Sequence, residues 1–484
     1  VFGNLLKHFK TITTVTFFLL LFISLFSRTA ADVDLWGYLA FGKVFWESGY
    51  FPYQDIFSYT PTKSLWVYHE WLTGIIFYPL LKYSGAAGLQ LFRYVIAVLT
   101  IYFVYAAAVK KGGSPLLTLA VLSPAMVLFS FGYSIVVRAQ IFTYLFFILT
   151  LFILESARRN QKWFVLLWLI PIQLFWCNLH GGFLAGLGLI SLYALGDALS
   201  AKKFMPFVII FIPATLITLL NPYGVEYWTF ILDATTMPRP EIDEWMSVAK
   251  ALRTNYQVVP IIFFIVLSAL CFLLYMFRLR NYFTEILIIA AISYLGYKHV
   301  RHTIFLGLLA AVYMPVILSE IRKDYFSKLP LPLSSWGFAL LLAALLLYSH
   351  WFISPSWPVK FIPSFNITAS TAYYPIGALN WMKKNNISGN VLPFFGWGEF
   401  LIWECHPKCK IGMDGRYETV YQEEVYIEYF DFLMGRKNWQ EFLNKYPHDL
   451  VLIKPGVRIH TLMLEHTSWK NVYSDTTASL FLRK

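Results

Sequence analysis

Eleven apolar segments recur along this 484-residue chain and leave it few ways to fold. They run over 11–27, 86–109, 115–131, 140–155, 163–177, 183–199, 204–220, 258–277, 283–297, 303–318 and 333–351. A helix needs about 20 residues to cross about 30 Å of hydrocarbon. Within lipid, a helix or a closed barrel is what satisfies every backbone polar group. With 58% hydrophobic and 14% charged residues and a mean hydropathy of +0.57, the chain reads as an α-helical polytopic membrane protein of about 11 transmembrane helices.

A net charge of +12 raises the question of nucleic acid, but its distribution answers it. Lys and Arg fall in alternate connections: Lys7 and Lys10, Lys110 and Lys111, Arg158, Arg159 and Lys162, Lys202 and Lys203, Arg278 and Arg280, then Arg322, Lys323 and Lys328. This positive-inside pattern places the N-terminus in the cytoplasm and, after an odd number of spans, everything beyond Trp351 outside. The basic balance reports topology in an inner (cytoplasmic) membrane, with no nucleic-acid partner.

The expected organisation is a transmembrane domain over 1–353 and a small α/β domain over 354–484, outside the membrane on the periplasmic or extracellular side. A first outer loop, 31–85, holds apolar residues at helical spacing over 35–46 and 71–83, as for helices lying in the membrane interface. A second long outer loop, 221–256, holds a Pro-Arg-Pro turn and the acids Glu241, Asp243 and Glu244. Beyond residue 354, strands are expected at 391–395, 410–413, 450–454 and 478–483, with helices at 423–433 and 439–446. There is no Walker motif or dinucleotide fingerprint, so nothing points to a nucleotide-linked donor. Cys405 and Cys409 have no second Cys/His pair at zinc spacing, which favours a local disulfide or free thiols.

Charged residues beside hydrocarbon need a reason. Asp32-Val-Asp34-Leu35-Trp36 directly follows the first apolar segment. One reading is capping of the helix that starts at Leu35. The other is a general base at the membrane surface, taking a proton from an acceptor hydroxyl. His69-Glu70-Trp71 closes the same loop and meets the Asp pair if the loop folds back. Any divalent cation, Mg or Mn, would fall to Asp32, Asp34, His69 and Glu70.

Arg138, His180, Lys298, Arg301 and His302 lie at outer ends of expected spans. A lone cation there usually snorkels to the headgroups. Lys298-His-Val-Arg301-His302 is denser than snorkelling requires and suits a clamp on phosphate. In Asn178-Leu-His180-Gly-Gly the glycines serve either close packing or room for a ligand. Glu244-Trp245 suits either packing or a sugar face. Together these residues describe an outward cavity with acids on one side and cations on the other, suited to a lipid-phosphate donor. Asp414 and Arg416, in Met-Asp-Gly-Arg, read as turn and ion-pair residues rather than catalysts.

With these features the chain resembles the GT-C polytopic membrane glycosyltransferases, the superfamily of protein O-mannosyltransferases and aminoarabinose transferases. The resemblance rests on Asp32-Val-Asp34-Leu-Trp after the first span, Asp55-Ile-Phe-Ser-Tyr59, His69-Glu-Trp-Leu, Asn178-Leu-His-Gly and Asn221-Pro-Tyr-Gly224. It implies inverting transfer of a hexose or pentose from a polyprenyl-phosphate-linked donor to a glycan, lipid or protein acceptor. By position it matches Asp32 to the catalytic acid, with Asp34 the rival, and places Tyr38 where many relatives would carry His. A lipid or lipid-linked sugar transporter or flippase is the main rival, although no repeated halves are visible. A polysaccharide polymerase or ligase is a third reading and would need its large outer loop late in the bundle.

Overall fold

The computed structural model describes residues 29–133, 137–325 and 364–484, with isolated positions between 12 and 19. The first and last expected spans, 11–27 and 333–351, lie outside the described residues. The intervening expected spans are all helical. They comprise Trp71–Lys111, Pro115–Tyr133, Gln140–Asn160, Trp163–Trp168 continuing into Leu169–Leu179, and Gly181–Phe183 into Leu184–Leu199. Met205–Leu216 with Ile217–Leu219, Val258–Met276, Phe283–Lys298 and Thr303–Tyr325 complete the series. Among the described residues five helices are long and apolar enough to cross a membrane: Trp71–Lys111, Gln140–Asn160, Gly181–Leu199, Val258–Met276 and Val300–Tyr325. Trp163–Leu179 and Met205–Leu219 are apolar but shorter.

The chain divides by packing into two compact units. The first comprises 1–29, 90–221 and 237–365; the second comprises 30–89, 222–236 and 366–484.

In the first unit Thr303–Tyr325 is the core helix, buried on every side from Thr303 to Ile317. It packs against Pro115–Tyr133, Val258–Met276 and Phe283–Lys298. Val258–Met276 instead leaves Ile262, Ile265, Val266, Leu273 and Met276 exposed, an apolar surface that suits lipid contact. One end of the bundle is held by charge. Lys111 binds Glu155 at 2.6 Å and Glu285 at 2.8 Å, while Arg158 binds Glu285 and, at 3.1 Å, Asp197. Thr284 donates to Asp197 at 2.7 Å and Tyr193 donates to Glu155 at 2.5 Å. Lys111 and Arg158, which carry part of the positive-inside pattern, are thus partners in a buried network rather than headgroup anchors.

The second unit gathers three distant stretches of chain. The expected helix after the acidic motif is Leu35–Ser48, ended by Gly49 in the left-handed region. The helix from Trp71 is interrupted at Gly85 (φ 62°, ψ −167°), and its residues 71–89 belong to this unit. In the expected outer loop 221–256, Val225–Thr236 is helical in this unit and Val248–Arg253 is helical in the first. Residues 366–484 contain a five-stranded sheet in the order β2-β1-β3-β5-β4. Its strands are β1 (Gly389–Pro393), β2 (Cys409–Ile411), β3 (Leu450–Ile453), β4 (Trp469–Ser474) and β5 (Ser479–Arg483). β1 pairs parallel with β2 and β3, and β5 runs antiparallel to β3 and β4. The helix Glu423–Leu433 falls where the sequence places it, and Trp439–Lys445 ends one residue earlier.

Candidate functional site

The residues singled out from the sequence fall mainly into two groups, one in each unit, with His180 apart from both.

In the second unit, Asp32 is buried and its Oδ1 accepts the Asp34 N–H at 3.1 Å, a local turn that opens the helix Leu35–Ser48. Asp34 stands at the N-cap position, yet its side chain does not cap the helix. The cap comes from elsewhere: the Gly37 N–H donates to Glu399 Oε2 at 3.0 Å. The capping reading of the Asp pair is therefore corrected, because a carboxylate from a distant segment takes that task. Burial, reinforced by the carboxylates of Asp34 and Asp414 and by Glu70, pushes the Glu399 carboxyl well above the usual range against the pull of Arg416. Glu70 and Asp34 are thus drawn around one buried group. His69 lies 3.8 Å from Glu70 with its ring against Phe230. The Tyr68 N–H donates to the Tyr223 hydroxyl at 3.0 Å, which gives the Asn-Pro-Tyr-Gly motif a role in holding the His69-Glu70 segment.

The Asp-Ile-Phe-Ser-Tyr motif is a turn, as its residue types suggest. Asp55 Oδ2 accepts from the N–H groups of Phe57 and Ser58. Its Oδ1 binds Arg416 at 2.6 Å, and Arg416 also grips Asp414 through Nε at 2.8 Å and Nη2 at 2.7 Å. The guanidinium lies 5.0 Å from the ring centres of both Phe57 and Trp66. Tyr421 donates to Asp414 at 2.8 Å. Asp414 and Arg416 are the ion pair their sequence suggested, with Asp55 as a third member that it did not.

In the first unit, Arg138 and Arg301 share the carboxylate of Glu244 at 3.3 and 3.1 Å. Burial alone would raise that carboxyl; the two guanidinium charges outweigh it and hold it at about 2. Arg301 and Arg239 lie 4.5 and 4.0 Å from the centre of the Trp245 ring. His299 shares a 2.6 Å hydrogen bond with the Trp245 carbonyl, and the rings of His299 and His302 stand edge-on to the indole. Arg239, from the Pro-Arg-Pro turn, joins this cluster without having been singled out. Lys298 is exposed at the end of Phe283–Lys298.

His180 belongs to a separate local arrangement. Trp176 donates to Thr143 Oγ1 at 2.8 Å, so the Thr143 hydroxyl is left to donate to His180 Nδ1, also at 2.8 Å. The Gly182 N–H donates to the same nitrogen at 2.8 Å, which fixes Nδ1 as an acceptor. A Cβ on Gly182 would stand 2.4 Å from Thr143 Oγ1, so this glycine serves close packing. Gly182→Ala is expected to cost about 1–3 kcal/mol. Thermal unfolding in detergent checks this, and a variant melting with the wild type would show that the turn yields without cost. Asn178 donates to the carbonyls of Leu174 and Leu220 at 2.8 and 3.0 Å, tying its helix end to the chain before Asn221.

No family model and no curated protein matches the chain. Solved structures do. The Archaeoglobus fulgidus oligosaccharyltransferase, in complex with zinc and sulfate, is 12% identical over 98% of this chain and 73% of its own, with a TM-score of 0.58. ArnT from Cupriavidus metallidurans, bound to undecaprenyl phosphate, is 12% identical over 99% of this chain and 98% of its own, with a TM-score of 0.51. These are GT-C membrane glycosyltransferases. This chain has a GT-C fold. The mycobacterial arabinofuranosyltransferase AftD matches at a TM-score of 0.52 and 12% identity over 98% of this chain, which spans 40% of AftD's length.

The oligosaccharyltransferase crystal contains zinc. Among the described residues of this GT-C chain, no group of three or more His, Cys, Asp or Glu is placed to hold a metal ion. Asp32, Asp34, His69 and Glu70 are thus not gathered into a group of that size. Cys405 and Cys409 are free thiols. A hydrogen bond from Cys405 holds the Cys409 thiol down to about 7.

Proposed function

We propose that this chain is an inverting membrane glycosyltransferase that moves a hexose or pentose from a polyprenyl-phosphate-linked donor to an acceptor at the outer face of the membrane. The observation that carries the reading is the GT-C fold joined to an acidic motif whose first helix is capped by another residue, so that the motif's own acids are not spent on the cap. ArnT, which shares the fold over nearly its whole length, was crystallised with undecaprenyl phosphate, and a polyprenyl-phosphate donor for this chain is inferred from that likeness.

In the reaction, a carboxylate of the Asp32/Asp34 pair takes the acceptor's hydroxyl proton. The acceptor oxygen attacks the anomeric carbon from the side opposite the phosphate, forming the new glycosidic bond as the bond to phosphate oxygen breaks. The electron pair stays on the polyprenyl phosphate, which departs with it; the cations whose chemistry suits a phosphate, Arg138 and Arg301 with Lys298, Arg239 and His302, are those of the first unit. Glu244 and Trp245 hold the guanidinium groups in place. His69 and Glu70 contact the acceptor side, and His180 supports the turn beside its own helix. The full span count of eleven, a cytoplasmic N-terminus, residence in the inner membrane and a periplasmic α/β domain over 354–484 belong to the same proposal. The glycan, lipid or protein acceptor remains open to the test.

The test is incubation of membranes or proteoliposomes containing the chain with a radiolabelled polyprenyl-phosphate sugar and candidate acceptors. Label covalently attached to an acceptor is the expected result. Label that accumulates across the vesicle membrane without attachment would overturn the reading in favour of a transporter or flippase.

A further inference from the structure

Glu244 is held more loosely than the carboxylates that build the fold. Arg138 faces it with a fork, Nη1 on Oε2 at 3.3 Å and Nη2 on Oε1 at 3.5 Å, and Arg301 Nη1 reaches Oε1 at 3.1 Å. Charge-assisted contacts of this kind usually run about 2.7–2.9 Å. The other buried ion pairs reach that range: Lys111 meets Glu155 at 2.6 Å and Glu285 at 2.8 Å, and Arg416 meets Asp55 at 2.6 Å and Asp414 at 2.7 Å. Those four carboxylate side chains are at most 8% exposed, whereas that of Glu244 is 23% exposed. Two guanidinium groups converging on one pair of oxygens is also an arrangement that holds a phosphate.

The backbone around Glu244 is tied down, and the side chain is the part left to move. Asp243–Trp245 form a single 3-10 turn between the extended residues Ile242 and Met246. The Trp245 carbonyl accepts from His299 Nδ1 at 2.6 Å, and the Met246 carbonyl accepts the Val300 N–H at 3.0 Å. The Trp245 ring lies against the guanidinium groups of Arg301 and Arg239, and Arg239 also donates to the Met237 carbonyl at 3.1 Å. The indole thus keeps its hold on Arg301 whether or not Glu244 is in place. Moving the carboxylate aside takes only rotation about side-chain bonds, a fast motion for a partly exposed residue. Arg138 and Arg301, stripped of that carboxylate, then favour another anion in its place.

We propose that Glu244 is the resident occupant of an anion site: its carboxylate fills the place between Arg138 and Arg301 until a phosphate group displaces it, and returns when that phosphate leaves. The exchange trades N–H···O contacts to carboxylate for the same contacts to phosphate and makes or breaks no covalent bond. A tethered carboxylate sets a threshold, because an incoming anion must outcompete it. Phosphate, with more oxygens and more charge, passes that threshold more readily than chloride or acetate. That the phosphate belongs to the sugar donor rests on the glycosyltransferase reading; the exchange itself does not.

The test uses the full chain in detergent micelles, titrated with inorganic phosphate and with polyprenyl phosphate. Glu244→Gln keeps the shape and removes the competing charge. It should bind phosphate about tenfold more tightly than the wild type, the order expected when a competitor held by charged hydrogen bonds gives up its place. Tighter binding of both ligands assigns the site to the phosphate group alone; tighter binding of polyprenyl phosphate only assigns it to the lipid headgroup. Unchanged or weaker binding of both, in a variant that melts with the wild type, would overturn the proposal and leave Glu244 a fixed orienter of the two guanidinium groups. A second measurement needs no variant. Labelling of Glu244 by a water-soluble carbodiimide, read by peptide mass spectrometry, should rise when the wild type is saturated with polyprenyl phosphate. Labelling that stays level or falls would overturn the proposal as well. If the wild type transfers no sugar, the glycosyltransferase reading fails, while binding and labelling still decide the exchange.

Discussion

Asp34→Asn is expected to lower sugar transfer about 10²–10⁴-fold, the contribution of a positioned general base. Asp32→Asn is expected to lower it about tenfold or less, because an amide oxygen still accepts the Asp34 N–H and the turn survives. The resemblance alone points to Asp32. The geometry points to Asp34, since Asp32 is buried with one oxygen committed to the turn. Asp34 is more accessible and has been relieved of capping by Glu399. Initial rates with a polyprenyl-phosphate sugar decide between them. A larger loss in Asp32→Asn would return the base to Asp32, and full transfer by the double variant would remove both from the chemistry.

The second large effect concerns folding. Arg416→Met is expected to destabilise the second unit by about 3–5 kcal/mol, because it leaves the carboxylates of Asp414 and Asp55 buried without their counter-ion. The Tyr421 hydroxyl still serves Asp414, and the Phe57 and Ser58 N–H groups still serve Asp55, so the loss falls toward the lower end. Arg416→Lys keeps the charge but not the fork that grips Asp414 twice, and should fall between the two. Protease sensitivity of residues 366–484 after mild heating reads the effect. A Met variant as resistant as the wild type would show that the two carboxylates take up protons at little cost.

The sequence reading succeeded where the signal was local. Apolar runs marked the helices from Trp71–Lys111 to Thr303–Tyr325, and Glu423–Leu433 was visible from its periodicity. β4, Trp-Lys-Asn-Val-Tyr-Ser, was missed because an edge strand with polar residues on both faces has weak alternation. Asp34 was legible by its place after an apolar segment, but Glu399 was not. Its only local mark is the glycine before it, and the bond that gives it meaning spans 362 residues. Asp55 was legible as a turn residue and Arg416 as half of an ion pair, whereas their union was not. Arg239 was hidden by the two prolines beside it, which announce a turn and say nothing of the Trp245 ring. Glu155, Asp197 and Glu285 sit at the ends of apolar helices, where a lone acid reads as a boundary until its cation is seen.

The bond between Gly37 and Glu399 also sets a clock. At about 5–20 residues per second, the 362 residues between them take roughly 20–70 s to synthesise. Asp55 waits about as long for Arg416, which lies 361 residues further on. A ribosome-bound chain can already have inserted its early helices while its acidic motif still lacks both partners. An unfinished or truncated copy in the membrane would therefore carry the motif but not the arrangement around it, and competence arrives only with the last fifth of the protein.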